Sequence, residues 1–233
     1  LRDNKTKEIS RLNGVYNNIL QGAGVEVISG RGELVGPNQV KVGDSVYTAS
    51  RILIATGGWP RKPSFPGAEH TITSNEMFSL EKLPQRVIVQ GGGYIAVEFA
   101  GILNGLGCDT ELVYRGPMFL RGFDSEVREF VAKEVAESGI TLSFDTDITS
   151  VEKRDDGSLD VTFNSGETKN VDMVLSAIGR NPKTEGLGLE HTSVSLGQKG
   201  EILVNDHFQT AEPSVYALGD VIGRMELTPV ALA

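Results

Sequence analysis

The sequence of 233 residues contains one cysteine, Cys108, one tryptophan and no long uninterrupted apolar run. A single cysteine excludes an internal disulfide, a CxxC redox pair and a thiolate zinc site within these residues. Without an apolar run of about 18 to 20 residues, no membrane-spanning helix is expected. Cys108 follows a glycine in a predicted helix-to-strand turn, where we expect a small semi-buried side chain in preference to a reactive thiol.

Basic residues are fewer than acidic ones. The chain has 22 Lys and Arg against 31 Asp and Glu, which gives a formal net charge of −9. A broad basic surface for nucleic acid or anionic lipid is therefore not expected, and any bound anion must be held locally. With 39% hydrophobic residues and 28 glycines, the composition is that of a globular protein long enough for one large domain or two modest ones.

Hydrophobic periodicity predicts a helix at the start of the chain and strands after it. Apolar side chains recur at helical spacing over residues 9–19 and predict an amphipathic helix that stops at Gly22 and Gly24. Alternating apolar and polar residues between glycine, proline and asparagine breaks then predict a short meander. The meander leads into a buried strand at residues 51–55.

A second unit is expected after the proline-rich residues 59–67. It begins with a buried strand, a glycine turn, a helix over about 93–105, another strand, and a helix over about 124–138. Strands separated by DDG and NSG turns follow, and strand character returns from residue 201. Strands that alternate with helices and lead into a meander predict an α/β domain with a parallel sheet and an antiparallel excursion.

The glycine turn of this second unit has the pattern GxGxxA, formed by Gly91, Gly93 and Ala96. In such a turn the first glycine permits the tight bend, and the second lets the backbone approach a pyrophosphate. The small third residue lets the helix lie close to the sheet, and the helix start offers N–H groups to phosphate. Glycine turns alone are common, but the position between a strand and a helix predicts a dinucleotide site.

Two arginines follow the second strand of this unit. That strand usually ends on an acid that binds the ribose 2′-OH of NAD, whereas here it leads into Arg115, with Arg121 in the same loop. Because a guanidinium presents a rigid fork to phosphate oxygens, the pair favours a 2′-phosphate and hence NADP. The alternative is that both arginines are solvated side chains of a charged loop.

Further polar residues stand near strand and helix ends. Tyr94 and Glu98 share one helix face and would suit a nicotinamide, although each is equally well explained as a half-buried helix residue. Three segments, ending near Gly58, Pro182 and Asp220, each finish a predicted strand with a glycine and a polar neighbour. Ligands of open α/β sheets bind at such strand ends, so more than one cofactor site is expected.

The segments ATGG, GGGYIAVEFAGIL, LVYR, LRGFD, AIGRNP, VYALGD and ELTPVALA, in this order, resemble the pyridine nucleotide–disulfide oxidoreductases and, among them, the glutathione reductases. The two-arginine loop is similar to their NADPH site, not to the acid-bearing NAD site of dihydrolipoamide dehydrogenases. Trypanothione reductases share LRGFD. The resemblance implies an α/β fold in which a Rossmann-like NADPH domain, residues 58–182, is inserted in an FAD domain formed by residues 1–57 and 183–233, with antiparallel β-meander segments.

The resemblance also implies two sets of cofactor contacts. The implied NADPH contacts are Gly91, Gly92, Gly93, Tyr94, Ile95, Ala96, Glu98, Arg115, Arg121, Gly179 and Glu226. The implied FAD contacts are Thr56, Gly57, Ser74, Arg180, Asp220 and Thr228. No catalytic residue and no metal ligand is expected in the chain. The histidines match no motif of the family and are expected at the surface or in turns: His70, His191 and His207.

For the whole protein, the resemblance implies a cytoplasmic homodimer in which NADPH reduces FAD, FAD reduces a redox dithiol, and the dithiol reduces oxidised glutathione. The family's first GxGxxG and its CxxxxC pair belong before Leu1, and its His–Glu pair belongs after Ala233. We therefore expect an internal fragment that is inactive alone. The alternatives are a trypanothione reductase, another two-dinucleotide reductase such as a ferredoxin reductase or NADH oxidase, and an NADP-binding module without catalysis.

Overall fold

The computed structural model of the protein describes residues 2–232 and has the expected mixed α/β fold. It divides into two compact units. The first unit comprises Leu1–Trp59 and Asn181–Ala233, and the second comprises Pro60–Arg180. The sequence prediction places its boundaries after residues 57 and 182. The assignment of the units to FAD and NADPH stays a prediction.

A four-stranded parallel sheet organises the second unit. It consists of β6 (Arg86–Gln90), β7 (Asp109–Val113), β8 (Thr141–Ser143) and β12 (Met173–Ser176), in the order β12-β6-β7-β8. Every residue of β12 is buried, as are all residues of β6 after the first. Such continuous apolar burial arises because parallel strands are covered on both faces. The buried strand predicted before the glycine turn is confirmed.

Two helices connect the parallel strands. α3 (Tyr94–Gly105) joins β6 to β7, and α4 (Ser125–Glu137) joins β7 to β8. α4 begins where the Asp124 side chain accepts hydrogen bonds from two backbone N–H groups of the first turn. Both helices were predicted with nearly these bounds. α3 packs on the sheet through residues three or four positions apart, namely Ala96, Phe99, Ala100 and Leu103.

An antiparallel sheet packs on the second unit's parallel sheet. It consists of β9 (Ile148–Lys153), β10 (Leu159–Phe163) and β11 (Thr168–Val171), with β10 in the centre. Alternate residues of β10 are buried and belong to the same apolar cluster as Ile88 of β6. The sequence predicted β9 and β10 but not β11, whose residues Thr-Lys-Asn-Val are too polar to show a strand pattern.

The first unit begins with α1 (Arg2–Gly22) and a three-stranded meander. The meander consists of β1 (Gly32–Gly36), β2 (Gln39–Val42) and β3 (Ser45–Thr48), each antiparallel to the next. The predicted helix and meander are confirmed. The expected apolar face of α1, however, covers no core in the described residues, since none of the helix residues is buried.

A two-stranded parallel sheet completes the first unit's core. β4 (Ile52–Ile54) pairs with β14 (Val215–Ala217), and Ile54 packs with Leu189 and Ile202. The strand character predicted from residue 201 is confirmed in part: Ile202 forms an isolated bridge with Leu196 and Gln209 forms one with Tyr216, and the one regular strand described there is β14. The other short elements are β5 (Gly58–Pro60) paired with β13 (Arg180–Pro182), α2 (Ser74–Met77), α5 (Thr228–Leu232), and three 3-10 turns at Ala68–His70, Leu189–His191 and Gly219–Ile222.

None of the helices that the structure describes is both long enough and apolar enough to cross a membrane.

Candidate functional site

The glycine turn joins β6 to α3 and is tightly enclosed at its first residue. Gly91 has a φ of 149°, and a Cβ there would collide with the carbonyl oxygen of Ala177 and crowd Ala96. The Gly91 N–H donates to the carbonyl oxygen of Val113 at 2.9 Å. The N–H of Ala177 donates to the carbonyl oxygen of Gln90 at 2.7 Å. Only glycine fits at this position, because both neighbouring strand ends approach its backbone.

The third glycine of the turn faces open space. A Cβ on Gly92 would overlap the ring of Tyr114, whereas a Cβ on Gly93 would meet no atom within 4 Å. Gly93 is also the N-cap of α3, and no side chain caps the helix there. The start of α3 therefore lies beside an uncovered stretch of backbone. This arrangement fits a phosphate group, which combines negative charge with several acceptor oxygens.

Arg115 and Arg121 lie in the loop that connects β7 to α4. Both side chains are exposed, and among residues 2–232 neither forms an ion pair or a side-chain hydrogen bond. Each guanidinium thus offers five N–H donors that have no acceptor within the described protein. Two such groups in one loop concentrate positive charge on a chain whose net charge is −9, and their role in binding a phosphate stays a prediction.

The loop that carries the arginines is attached to the glycine turn. The backbone N–H of Leu120 donates to the carbonyl oxygen of Gly92 at 2.7 Å, and Leu120 has a positive φ of 55°. Its neighbour Phe119 is fully buried and packs edge-to-face on Phe144, with ring centroids 5.6 Å apart. These contacts attach the middle of the loop to the glycine turn, and a shared site of the arginine pair and the helix start stays a prediction.

A buried polar network supports the end of β6 directly beneath the turn. Gln90 is 6% exposed; its Nε2 donates to the Asp147 carboxylate at 2.9 Å, and its Oε1 accepts from the Ser176 hydroxyl at 3.1 Å. Buried amides need such partners, since an unsatisfied polar group costs free energy. Gln90 thereby connects the carboxyl ends of β6 and β12 to the loop before β9.

The implied nicotinamide contacts Tyr94 and Glu98 lie one turn apart on α3. Both are exposed, Tyr94 to 40%. Their positions on one helix face agree with the spacing in the sequence. Their role stays a prediction.

The implied cofactor contacts are divided between the two units. The second unit contains the implied NADPH contacts with the exception of Glu226, which lies in the first unit. The first unit also contains the implied FAD contacts Thr56, Gly57, Asp220 and Thr228, whereas Ser74 and Arg180 lie in the second. Within the first unit, the Thr56 hydroxyl donates to the carbonyl oxygen of Lys183 at 2.8 Å. These assignments stay predictions.

The cysteine and the three histidines lie outside the glycine turn. Cys108 is 4% exposed, which makes it more buried than the semi-buried side chain expected, and burial raises the pKa of its thiol. His70, His191 and His207 are all exposed, as predicted.

Several residues that shape this site carry no recognisable signal in the sequence. Tyr114 covers Gly92, Leu120 bonds to the turn, and Gln90 supports it from below. In the sequence around Arg121, only the charged residues indicate a function. The contacts of the apolar residues before it depend on the folded loop.

Comparison with known proteins identifies the family of the chain. Residues 2–233 match the family model described as pyridine nucleotide-disulphide oxidoreductase. The chain is 46% identical over 228 residues to a glutathione reductase from Burkholderia cepacia, covering 98% of this chain and 51% of that protein. It is 42% identical to the chloroplastic/mitochondrial glutathione reductase of Pisum sativum, covering 98% of this chain and 42% of that protein. A trypanothione reductase from Trypanosoma congolense is 41% identical, with coverages of 98% and 49%.

Among solved structures, the HOCl-induced flavoprotein disulfide reductase RclA from Escherichia coli superposes with a TM-score of 0.92. Its sequence is 24% identical to this chain, so the likeness concerns the fold alone. The match covers 99% of this chain and 54% of that one. The chain spans about half the length of the curated relatives that it matches.

Proposed function

Because the chain belongs to the pyridine nucleotide-disulphide oxidoreductase family, we propose that it is the NADPH-binding part, with a portion of the FAD-binding part, of a flavoprotein that reduces oxidised glutathione. The observation that carries this proposal is the loop of Arg115 and Arg121, attached through Leu120 to the glycine turn. Glutathione reductases at 46% and 42% identity support the choice of substrate.

The residues of the second unit suit NADPH in three respects. The open side of Gly93 and the uncapped start of α3 receive the pyrophosphate. Arg115 and Arg121 bind the 2′-phosphate, because each offers N–H donors without a protein acceptor in the described chain. Tyr94 and Glu98 lie at the nicotinamide end, where they orient the ring and its carboxamide.

The first unit holds the strand ends that would contact FAD. Thr56 and Gly57 follow β4, and Asp220 follows β14, its parallel partner. In open α/β sheets the carboxyl ends of neighbouring parallel strands form the ligand crevice. The chemistry that the two cofactors would supply is hydride transfer from nicotinamide to flavin, and the residues of this chain would bind and orient the two groups.

The reduction of a disulfide substrate requires a redox dithiol that these residues do not supply. Cys108 is the single cysteine, and it is buried in the apolar cluster of the second unit with a raised pKa. We assign the dithiol to another part of the parent protein, so this chain alone is expected to be inactive. A homodimeric parent and a cytoplasmic location likewise remain proposals that rest on the family resemblance.

A trypanothione reductase is the second candidate, since one such relative is 41% identical over 98% of this chain. The two candidates bind the same dinucleotide and differ in their disulfide. An NADPH oxidation assay of the parent protein with oxidised glutathione and with trypanothione disulfide, each as the sole acceptor, separates them. Turnover with glutathione disulfide alone supports the proposal, and turnover with trypanothione disulfide alone contradicts it.

The central test is titration of the purified protein with NADPH and NADH by calorimetry, with the flavin absorption recorded in parallel. We expect NADPH to bind at least about 10-fold more tightly, because only NADPH carries the phosphate that the arginines bind. Equal affinities would contradict the proposed cofactor. A colourless protein that binds NADPH would support a nucleotide-binding module in place of a flavoprotein.

A further inference from the structure

A third arginine, Arg128, holds the loop that carries Arg115 and Arg121. Its Nη2 donates to the carbonyl oxygen of Met118 at 2.7 Å, and its Nε donates to the carbonyl oxygen of Phe119 at 2.8 Å. One planar guanidinium thus binds two consecutive carbonyl groups of the loop. Its side chain is half-buried, and both bonds reach back across the start of α4.

The position of Arg128 is determined by the capped start of α4. The Asp124 side chain accepts from the N–H groups of Glu126 and Val127, and the N–H of Arg128 donates to the carbonyl oxygen of Asp124 at 3.0 Å. The first helical turn is therefore ordered, and it directs the Arg128 side chain from a fixed backbone.

Three consecutive residues of the loop are then attached to different parts of the second unit. Met118 and Phe119 are bound by Arg128, Phe119 is also buried in the core, and Leu120 donates to Gly92. The arginines on either side of this segment are exposed and unpaired in the described residues. The anchored segment consequently determines where both guanidinium groups can reach.

We propose that Arg128 is a positioning residue for the recognition of the 2′-phosphate, an inference that rests on the proposed function. A phosphate held by Arg115 and Arg121 together requires both at one place, and a loop that is already ordered loses less conformational entropy on binding. Arg128 itself donates to loop carbonyls, so it acts through the other two arginines. The binding of NADH, which has no 2′-phosphate, does not depend on Arg128.

The chemistry explains why an arginine occupies this position. A guanidinium donates along two fixed directions in one plane, which matches two successive carbonyl groups. A lysine ammonium is a single donor centre on a flexible stem and holds one carbonyl at a time in good geometry. Arg128→Lys should therefore retain part of the effect, and Arg128→Met should remove it.

The test compares dissociation constants for NADPH and NADH measured by calorimetry. For Arg128→Met we expect NADPH to bind about 10-fold more weakly and NADH to change by less than about 2-fold, because loop misplacement affects only the phosphate contacts. Arg128→Lys should fall between wild type and Arg128→Met. Arg154→Met is the control, since Arg154 is an exposed arginine in the turn after β9 that pairs with Asp160 at 3.4 Å.

A double-mutant cycle separates positioning from a general effect on folding. In a protein that already carries Arg115→Ala and Arg121→Ala, Arg128→Met should change NADPH affinity no further, because the residues it positions are gone. A further loss in that background, an equal loss for NADPH and NADH, or no loss in either would overturn the inference. If Arg128→Met lowers the folded fraction in circular dichroism, Arg128→Lys provides the same comparison in a folded protein.

The outcome also distinguishes this inference from the proposed function. Wild-type protein that binds NADPH and NADH equally would overturn both. Wild-type protein that prefers NADPH and loses this preference with Arg115→Ala and Arg121→Ala, but retains it with Arg128→Met, would overturn the role of Arg128 alone.

Discussion

The two units of the molecule bury their apolar side chains to different extents. In the second unit, one face of the parallel sheet packs with α3 and α4 around Leu112, and the other packs with the antiparallel sheet around Val161. The first unit has a single smaller cluster among the described residues, built on strands of three residues. The comparison shows that the glycine turn and the arginine loop stand on the more completely packed scaffold.

The exposed fractions of apolar side chains also differ between the two units. In the first unit, Tyr16 and Ile19 of α1 are 64% and 59% exposed, and Leu53 of β4 is 55% exposed. In the second unit, Val87, Ile88 and Val89 of β6, the strand that leads into the glycine turn, are 2%, 0% and 0% exposed. A binding site with several hydrogen-bond donors in fixed positions benefits from such rigid support, because the donors then reorganise little when a ligand binds.

The largest effect, on nucleotide affinity, is expected at the two arginines of the loop in the second unit. Replacement of both loop arginines, Arg115→Ala with Arg121→Ala, should weaken NADPH binding by at least about 100-fold, since each charge-assisted contact is worth about 1.5–3 kcal/mol. NADH affinity should change by less than about 2-fold. Calorimetric titration of both nucleotides measures the difference, and parallel losses for the two would remove the phosphate role.

A matched pair of leucine substitutions tests the packing difference directly. Leu112→Ala, in the second unit where the side chain is 0% exposed, should lower the free energy of unfolding by about 2–5 kcal/mol through lost burial and a cavity. Leu53→Ala, at 55% exposure in the first unit, should cost less than about 1 kcal/mol. Urea unfolding of the two variants gives the comparison. Similar losses would show that Leu53 is covered in solution.

The glycine turn allows binding to be weakened without loss of the scaffold. Gly93→Ala adds a methyl group where no atom lies within 4 Å, at a residue whose φ of −92° suits alanine. We expect folding to be preserved while NADPH and NADH both bind about 10-fold more weakly, because the methyl group occupies the approach to the pyrophosphate. Gly91→Ala is the contrasting variant, since its Cβ would collide with Ala177 and destabilise the fold itself.

Unchanged affinity of Gly93→Ala for both nucleotides would place the pyrophosphate elsewhere. Thermal unfolding of the variant, measured beside the titration, shows whether any loss of binding comes from the site or from the fold.

The smallest effect is expected at the opposite end of the parallel sheet, where Asp172 precedes β12. Its carboxylate accepts from the Arg86 guanidinium at 2.7 Å and from the N–H groups of Gln85 and Arg86, and these bonds lower the pKa of Asp172. A lowered folded-state pKa adds stability above the ordinary aspartate pKa of about 3.9, and the contribution disappears as the pH falls through the folded-state value.

Asp172→Asn should therefore reduce the free energy of unfolding by about 1 kcal/mol at neutral pH, a modest figure because the ion pair is partly exposed. The difference from wild type should shrink as the pH falls below roughly 4. Unfolding at several pH values measures it, and a difference independent of pH would indicate that the effect is not due to the charge of Asp172.

Residues whose signals are local were interpreted correctly from the sequence. The strand before Gly91, the helix after Gly93 and the helix after Asp124 all occur where the pattern predicts them. Their signals are an apolar run, a glycine that permits a positive φ and a side chain that caps its own helix. Each of these acts over a few neighbouring positions and needs no other part of the chain.

Patterns that depend on a distant partner were predicted less well. α1 has helical spacing of apolar residues, yet that spacing does not reveal what the helix packs against, and none of its residues is buried. The polar strand β11 forms because β10 offers it backbone partners, and the residues after 201 form isolated bridges before the short strand β14 in place of one continuous strand. Strand pairing is decided by backbone groups that every residue carries, so the side chains alone do not specify it.

For this protein, the sequence by itself determined the α/β order, the glycine turn and the presence of two arginines after the second strand. Only the tertiary structure decided that Leu120 bonds to Gly92 and that Arg128 holds the segment between those arginines. The physical reason is that these contacts end on backbone carbonyl groups. Every residue has a backbone carbonyl oxygen, so the residue types do not show which oxygen accepts a hydrogen bond. That depends on how the loop folds over the sheet.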